Sequence, residues 1–276
     1  MKKSMLTYID QHSPIHALTG ATKLLCFLGW TFATIITYDT RLLLFMFCFS
    51  IMMFKISKIS FHDVAFVLYF ILLFLLLNNI AIYLFSPIEG VKIYGTRHDV
   101  LHLWWRYDIT LEQIFYQSNI TLKYFTVIPF ALLFLLTTHP SEFAASLNRI
   151  GVNYKISYAI SIALRYIPDI QRDFQNISIT QQTRGIDLSQ KEKLTKRIKN
   201  VSAILFPLIL SSLQRIDTVS SAMELRRFGS KRKRTWYYQR SFQKKDTMAI
   251  IFISCLILLS IWTTIINKGR FFNPFT

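Results

Sequence analysis

Apolar and polar positions alternate in long blocks along this chain. Residues 24–38 form one apolar run, bounded by Lys23 and Asp39, and residues 42–54 form a second, bounded by Arg41 and Lys55. Each is shorter than the ~20 residues of an ideal membrane span. Together they predict a tight hairpin of two short spans that turns near Asp39, Thr40 and Arg41. Residues 64–85 make a strong single span, broken only by Asn78 and Asn79. Side-chain amides are costly against lipid, so this pair is expected to face other helices. A fourth span is predicted over 120–138 and a fifth over 248–266. The intervening stretch 86–119 is polar and aromatic, with Trp104, Trp105, Tyr107 and Tyr116, residue types that favour the membrane–water boundary.

The segment 139–246 has a different character. Its mixed apolar stretches, 156–168 and 201–213, contain Pro168 and Pro207, and each runs into a charged segment with helical spacing. They are expected to be amphipathic helices at the membrane boundary. In the first, Ile170, Phe174, Ile177, Gln181, Arg184 and Leu188 recur at helical spacing, a single stripe. In the second the stripe is Leu213, Ile216, Val219 and Met223, followed by Arg226 and Arg227. Each arginine ends a contact face. Either its stem covers apolar surface while its head reaches water, or its planar fork grips acceptors on a partner. Two such stripes favour the partner surface. Gly185, directly after Arg184, suits a helix end or a close backbone approach.

Charge then orients the chain. The 276 residues carry 32 Lys+Arg against 15 Asp+Glu, although 52% are hydrophobic. Mean hydropathy is a modest +0.35, which leaves a large part outside the bilayer. Residues 169–246 hold 17 basic and 7 acidic side chains, whereas 86–119 hold three and four. Basic segments stay on the cytoplasmic side, so 169–246 and the N-terminus are assigned there and 86–119 outside. Lys268 and Arg270 run against this bias. The cluster Lys231, Arg232, Lys233 and Arg234 is expected to lie against anionic lipid at about 1 kcal/mol per charge. The lipid surface explains it without nucleic acid. Lys2 and Lys3 precede Asp10, His12, Pro14 and His16 rather than an apolar core, so the opening segment does not read as a signal peptide.

The search for catalytic chemistry returns little. No glycine is followed by lysine, which excludes the phosphate-cradling G-x-x-x-x-G-K loop, and there is no G-x-S-x-G elbow. His98 and His102 are four apart and would share a helix face, but no zinc-hydrolase Glu accompanies them. Cys26, Cys48 and Cys255 lie in apolar runs and are expected to be buried free thiols. No catalytic, cofactor or metal residue is assigned. A self-sufficient carrier keeps carboxylates within its spans, and 24–38, 64–85 and 248–266 contain none.

These residues resemble a family. Arg165-Tyr166-Ile167-Pro168-Asp169, Gln181-Gln182-Thr183-Arg184-Gly185-Ile186-Asp187, Phe206-Pro207-Leu208, Ser212-Leu213-Gln214-Arg215-Ile216-Asp217 and Ala222-Met223-Glu224-Leu225-Arg226-Arg227-Phe228 look like the transmembrane T component of energy-coupling factor (ECF) transporters. Ser13-Pro14-Ile15-His16-Ala17-Leu18, Thr22-Lys23-Leu24 and Arg234-Thr235 resemble its opening and closing segments. Where the family commonly has Ala-Arg-Gly, this chain has Thr183-Arg184-Gly185 and Leu225-Arg226-Arg227. The resemblance implies a bacterial or archaeal membrane scaffold that is not itself an enzyme. Such a scaffold joins two ABC-type ATPases to a small membrane S component that binds a vitamin or transition-metal ion. By carry-over, Arg184 and Arg226 would anchor the coupling helices in the ATPases. The expected fold is all-α and polytopic: four spans within 1–138, a cytoplasmic coupling region over 139–246, and a fifth span with its tail over 247–276. A stand-alone carrier or channel, or a membrane enzyme built on His98 and His102, are the alternatives.

Overall fold

The chain turns where its apolar runs are broken. A computed structural model describes residues 13–101, 108–186, 194–230, 235–237, 239–267 and 269–275. Its helices are α1 (Gly20–Ile36), α2 (Thr40–Ile56), α3 (Phe61–Phe85), α4 (Glu89–Tyr94), α5 (Leu111–Thr137), α6 (Pro140–Arg149), α7 (Tyr154–Thr183), α8 (Leu194–Leu225) and α9 (Lys244–Ile266), with a short ribbon of β1 (Asp99–Leu101) and β2 (Ile109–Thr110). They form two compact units: Met1–His139 with Arg240–Thr276, and Pro140–Gln239. The protein is an all-α polytopic membrane protein. Val64–Phe85, Leu111–Thr137 and Lys244–Ile266 are long and apolar enough to cross a membrane. At 17 residues each, α1 and α2 are shorter; the chain reverses between them at Asp39, but instead of closing into the expected tight hairpin α1 lies against α9 and α5, and α2 against α5.

In the first unit the helices alternate in direction. Helices α1 and α9 run parallel. At one end Asp246 accepts from the Thr19 amide at 2.9 Å, and at the other Asn267 donates to Asp39 at 2.9 Å. Asp39 also caps α2 by accepting from Arg41 N at 3.0 Å, and Lys23 Nζ caps the end of α5 by donating to Thr137 O at 2.8 Å. Cations and anions thus meet helix ends of opposite partial charge. Pro129 breaks the α5 hydrogen-bond ladder. Close by, Trp30, fully buried, donates its indole N–H to Thr126 O at 3.1 Å and stacks on Phe130 at 4.0 Å.

Three further expectations are corrected. The fourth span begins at Leu111, not residue 120. The polar residues at its start are packed inward: Glu112, Gln113 and Asn119 are buried, and the Gln113 side chain accepts from Gly90 N at 2.8 Å. A Cβ on Gly90 would come within 2.5 Å of the Glu112 backbone, so glycine permits this approach. The second correction concerns histidine. His98 lies outside any helix, just before β1, where its backbone N–H and Nδ1 meet Glu112 at 3.1 and 2.7 Å. It therefore shares no helix face with His102, which lies outside the described residues, as do Trp104, Trp105 and Tyr107. The third concerns the cysteines. They are free, but Cys48 and Cys255 are exposed, because an apolar helix in lipid needs no protein cover. The amide pair behaves as expected at Asn79, which donates to Thr121 at 3.0 Å.

Candidate coupling site

Helix α7 starts at Asn153, whose side chain accepts from Lys155 N at 3.0 Å, and continues through Pro168 to Thr183. The apolar and charged segments separated in the sequence are one helix. Two backbone bonds finish it: Gly185 N to Gln182 O at 3.0 Å and Ile186 N to Gln181 O at 3.1 Å. This is a Schellman turn, which needs a left-handed residue just past the helix. Gly185 supplies it at φ +86, and nothing lies within 4 Å of an added Cβ. Conformation, not crowding, selects glycine here. Arg184 is the cap residue and is exposed.

Helix α8 ends in the same way. Arg227 N bonds Glu224 O at 2.8 Å and Phe228 N bonds Met223 O at 2.9 Å. Arg226 occupies the position of Arg184, and Arg227, at φ 51, occupies that of Gly185. A side chain in this region costs about 1–2 kcal/mol. The packing of Phe228 offsets that cost. Its ring lies 4.7 Å from Tyr158 and 5.5 Å from Tyr154. Trp236 closes the cluster at 6.0 Å from Tyr154 and donates to Asn148 Oδ1 at 3.1 Å. Relief of the left-handed strain makes Arg227→Gly more stable by about 1 kcal/mol, read as a higher denaturation midpoint of the purified protein. A lower midpoint would show that the Arg227 side chain holds the turn.

The Phe228–Tyr158 contact sets the α8 end beside the α7 start, so the helices are antiparallel. Farther along, Arg215 donates to Asp173 at 2.6 Å. The sequence reading missed this pair and the aromatic cluster. Only the Tyr154/Tyr158 spacing hinted at the cluster, and cross-helix partners require the topology. Arg226 therefore stands near residue 158, and roughly 40 Å of helix separates it from Arg184 at 1.5 Å per residue. The stripes divide. Ile170, Ile216, Val219 and Met223 line a groove of about 330 Å³ between α7 and α8. Phe174 is 40% exposed, Leu213 52% and Leu225 86%. Ile177 and Gln181 are half-buried, and Thr183 is exposed. Leu188 and the cluster Lys231, Arg232, Lys233 and Arg234 lie outside the described residues. Among the described residues no three His, Cys, Asp or Glu side chains gather as metal ligands.

The sequence model of the CbiQ family, "Cobalt transport protein", matches residues 11–237. The energy-coupling factor transporter transmembrane protein EcfT of Lactococcus lactis subsp. cremoris is 29% identical over 267 residues, covering 94% of this chain and 97% of its own. EcfT of Streptococcus equi subsp. equi is 34% identical over 145 residues, 50% of this chain and 54% of its own. EcfT of Clostridium kluyveri is 25% identical over 266 residues, with 94% and 95% covered. With a family match over most of its length, two helices that end in the same arginine-bearing turn, and apolar helices fit for a bilayer, the chain belongs to the CbiQ family of transporter membrane components, the transmembrane part of an energy-coupling factor transporter.

Proposed function

We propose that this chain couples two ABC-type ATPases to a small membrane S component, which captures a vitamin or transition-metal ion. One observation carries the reading: a single antiparallel pair presents two arginine-capped turns of the same geometry, far apart. Two like sites suit two like partners. Arg184 with Thr183 and Gly185 would contact one ATPase, and Arg226 with Leu225 and Arg227 the other. A guanidinium at a helix C-terminus is favoured by the dipole, and its planar fork of N–H donors suits a partner's acceptors. The half-exposed faces of Phe174 and Leu213 would add apolar contact.

ATP-driven closure of the ATPases would move the two turns relative to one another and so shift α7 against α8. The first unit would pass this motion to the S component within the membrane. The basic stretch 169–246 supports a cytoplasmic coupling region and N-terminus, and Lys231, Arg232, Lys233 and Arg234 would rest on anionic lipid there. Hydrolysis belongs to the partners, which leaves this chain without catalytic duty. The carrier reading is disfavoured because the buried carboxylates of the first unit, Asp39, Glu112 and Asp246, are all engaged at helix ends or turns.

Reconstitution tests the proposal. Vesicles holding this chain alone take up no substrate. Vesicles that also hold the ATPases and S component take it up with ATP, and the purified assembly contains two ATPases per chain. Uptake by the chain alone would establish the carrier instead.

A further inference from the structure

Arg270 lies at the membrane end where the charge bias expects few cations. The same end contains a cavity of about 460 Å³ between α1, α3 and α5, lined by Thr31, Ile35, Tyr38, Asn78, Lys123 and Val127, among others. Lys123 is the basic residue of this cavity. Its ammonium sits over the Tyr38 ring, 3.1 Å from the centroid, and donates a long bond of 3.4 Å to Ile35 O. Both partners are neutral. Asn78 Oδ1 is buried without a hydrogen-bond partner, and half a turn of that amide would present its NH2 to the cavity instead. Arg270 belongs to the same rim, because its carbonyl accepts from Tyr38 N at 2.9 Å. Arg41, at the start of α2, lies over Phe272 at 4.0 Å.

A cation held only by a carbonyl and a ring, beside an unmatched amide, forms an electropositive recess that an anion would complete. Its depth identifies the anion's carrier. Ile35 and Tyr38 mark the end of α1, the level of the membrane boundary. Thr31 and Val127 lie one helical turn deeper, toward the bilayer centre, and continue the recess as a less polar wall. We propose that this cavity takes the phosphate group of an anionic phospholipid. Lys123 pairs with the phosphate, the Asn78 amide donates to it, and an acyl chain follows Thr31 and Val127. The coupling proposal bears only on which leaflet supplies the lipid, the outer one, and not on the binding.

The test uses the full chain in nanodiscs of phosphatidylcholine doped with phosphatidylglycerol, released and weighed intact. The wild-type chain retains phosphatidylglycerol. Lys123→Gln binds it about fivefold more weakly, the equivalent of one surface charge, and Lys123→Arg restores it. Asn78→Leu fills the recess but keeps the charge, and it also lowers retention, which guards against a folding defect at Lys123. Excess glycerol phosphate does not displace the lipid. Equal retention in both the Gln and Leu variants overturns the proposal. So does displacement by glycerol phosphate, which would mark a site for a soluble anion.

Discussion

Reversing both arginines, Arg184→Glu with Arg226→Glu, is expected to detach the ATPases and abolish ATP-driven uptake while the chain stays folded in the membrane. The turns themselves use backbone bonds from Gly185, Ile186, Arg227 and Phe228, so neither cap depends on the exchanged side chain. An acidic residue at a helix C-terminus opposes the dipole, by ~0.3–1 kcal/mol at an exposed position. That penalty is too small to unfold a helix of 30 residues. Loss of a buried charged contact at an interface costs about 2–5 kcal/mol, or a weakening of roughly 30-fold or more. Each single variant is expected to keep one ATPase, because the two turns lie roughly 40 Å apart along the helices. Arg→Gln variants separate lost grip from added repulsion and should fall between wild type and Glu. Copies of ATPase per purified chain give the measurement. Two copies retained by the double Glu variant, with normal uptake, would rule out the arginines as anchors.

Much of the membrane unit was legible because lipid imposes one rule on long segments. Blocks of apolar residues forecast α3 and α9 nearly to their ends. The same rule misplaced the start of α5, since Glu112, Gln113 and Asn119 look like boundary residues by type. They are in fact covered by α4 and neighbouring turns, which hydropathy cannot register. The His98–His102 spacing misled for a related reason. A spacing of four has meaning only on a helix, and Glu112 draws His98 into a turn beside a β ribbon. At α7 and α8, the stripes placed both arginines on contact faces, but the first ran on to Leu188 although α7 ends at Thr183, and the equivalence of the turns was hidden. Arg227 does not advertise a left-handed backbone as glycine does, and the aromatic packing of Phe228 that sustains it comes from residues some 70 positions earlier, at Tyr154 and Tyr158.

Asp246→Ala is expected to cost the first unit a large share of its stability. Asp246 is fully buried. One oxygen accepts from Gln243 N at 2.8 Å. The other accepts from Thr19 N at 2.9 Å and Thr19 Oγ1 at 3.1 Å. Thr19 in turn caps α1 by accepting from Thr22 N at 3.4 Å. One carboxylate therefore serves the starts of two parallel helices, where unpaired N–H groups and positive dipole ends coincide. Alanine strands the buried Thr19 amide, at ~1–3 kcal/mol for a buried group left unsatisfied, and removes the acceptor of the exposed Gln243 amide. A loss of about 2–3 kcal/mol follows, read as a lower denaturation midpoint in detergent. Asparagine keeps an acceptor toward one partner but loses the charge, so the expected order is wild type, Asn, then Ala. On the proposed function, the position also bears on coupling. The chain re-enters the membrane unit at Arg240, whose guanidinium donates to His16 O at 3.0 Å, and reaches Asp246 in the first turn of α9. A loosened α9 start would let the coupling helices move without carrying the bundle. Uptake per ATP hydrolysed should then fall in Asp246→Asn while the ATPases remain bound, an outcome opposite to that of the arginine variants. Unchanged stability and unchanged coupling in both Asp246 variants would remove this carboxylate from the path.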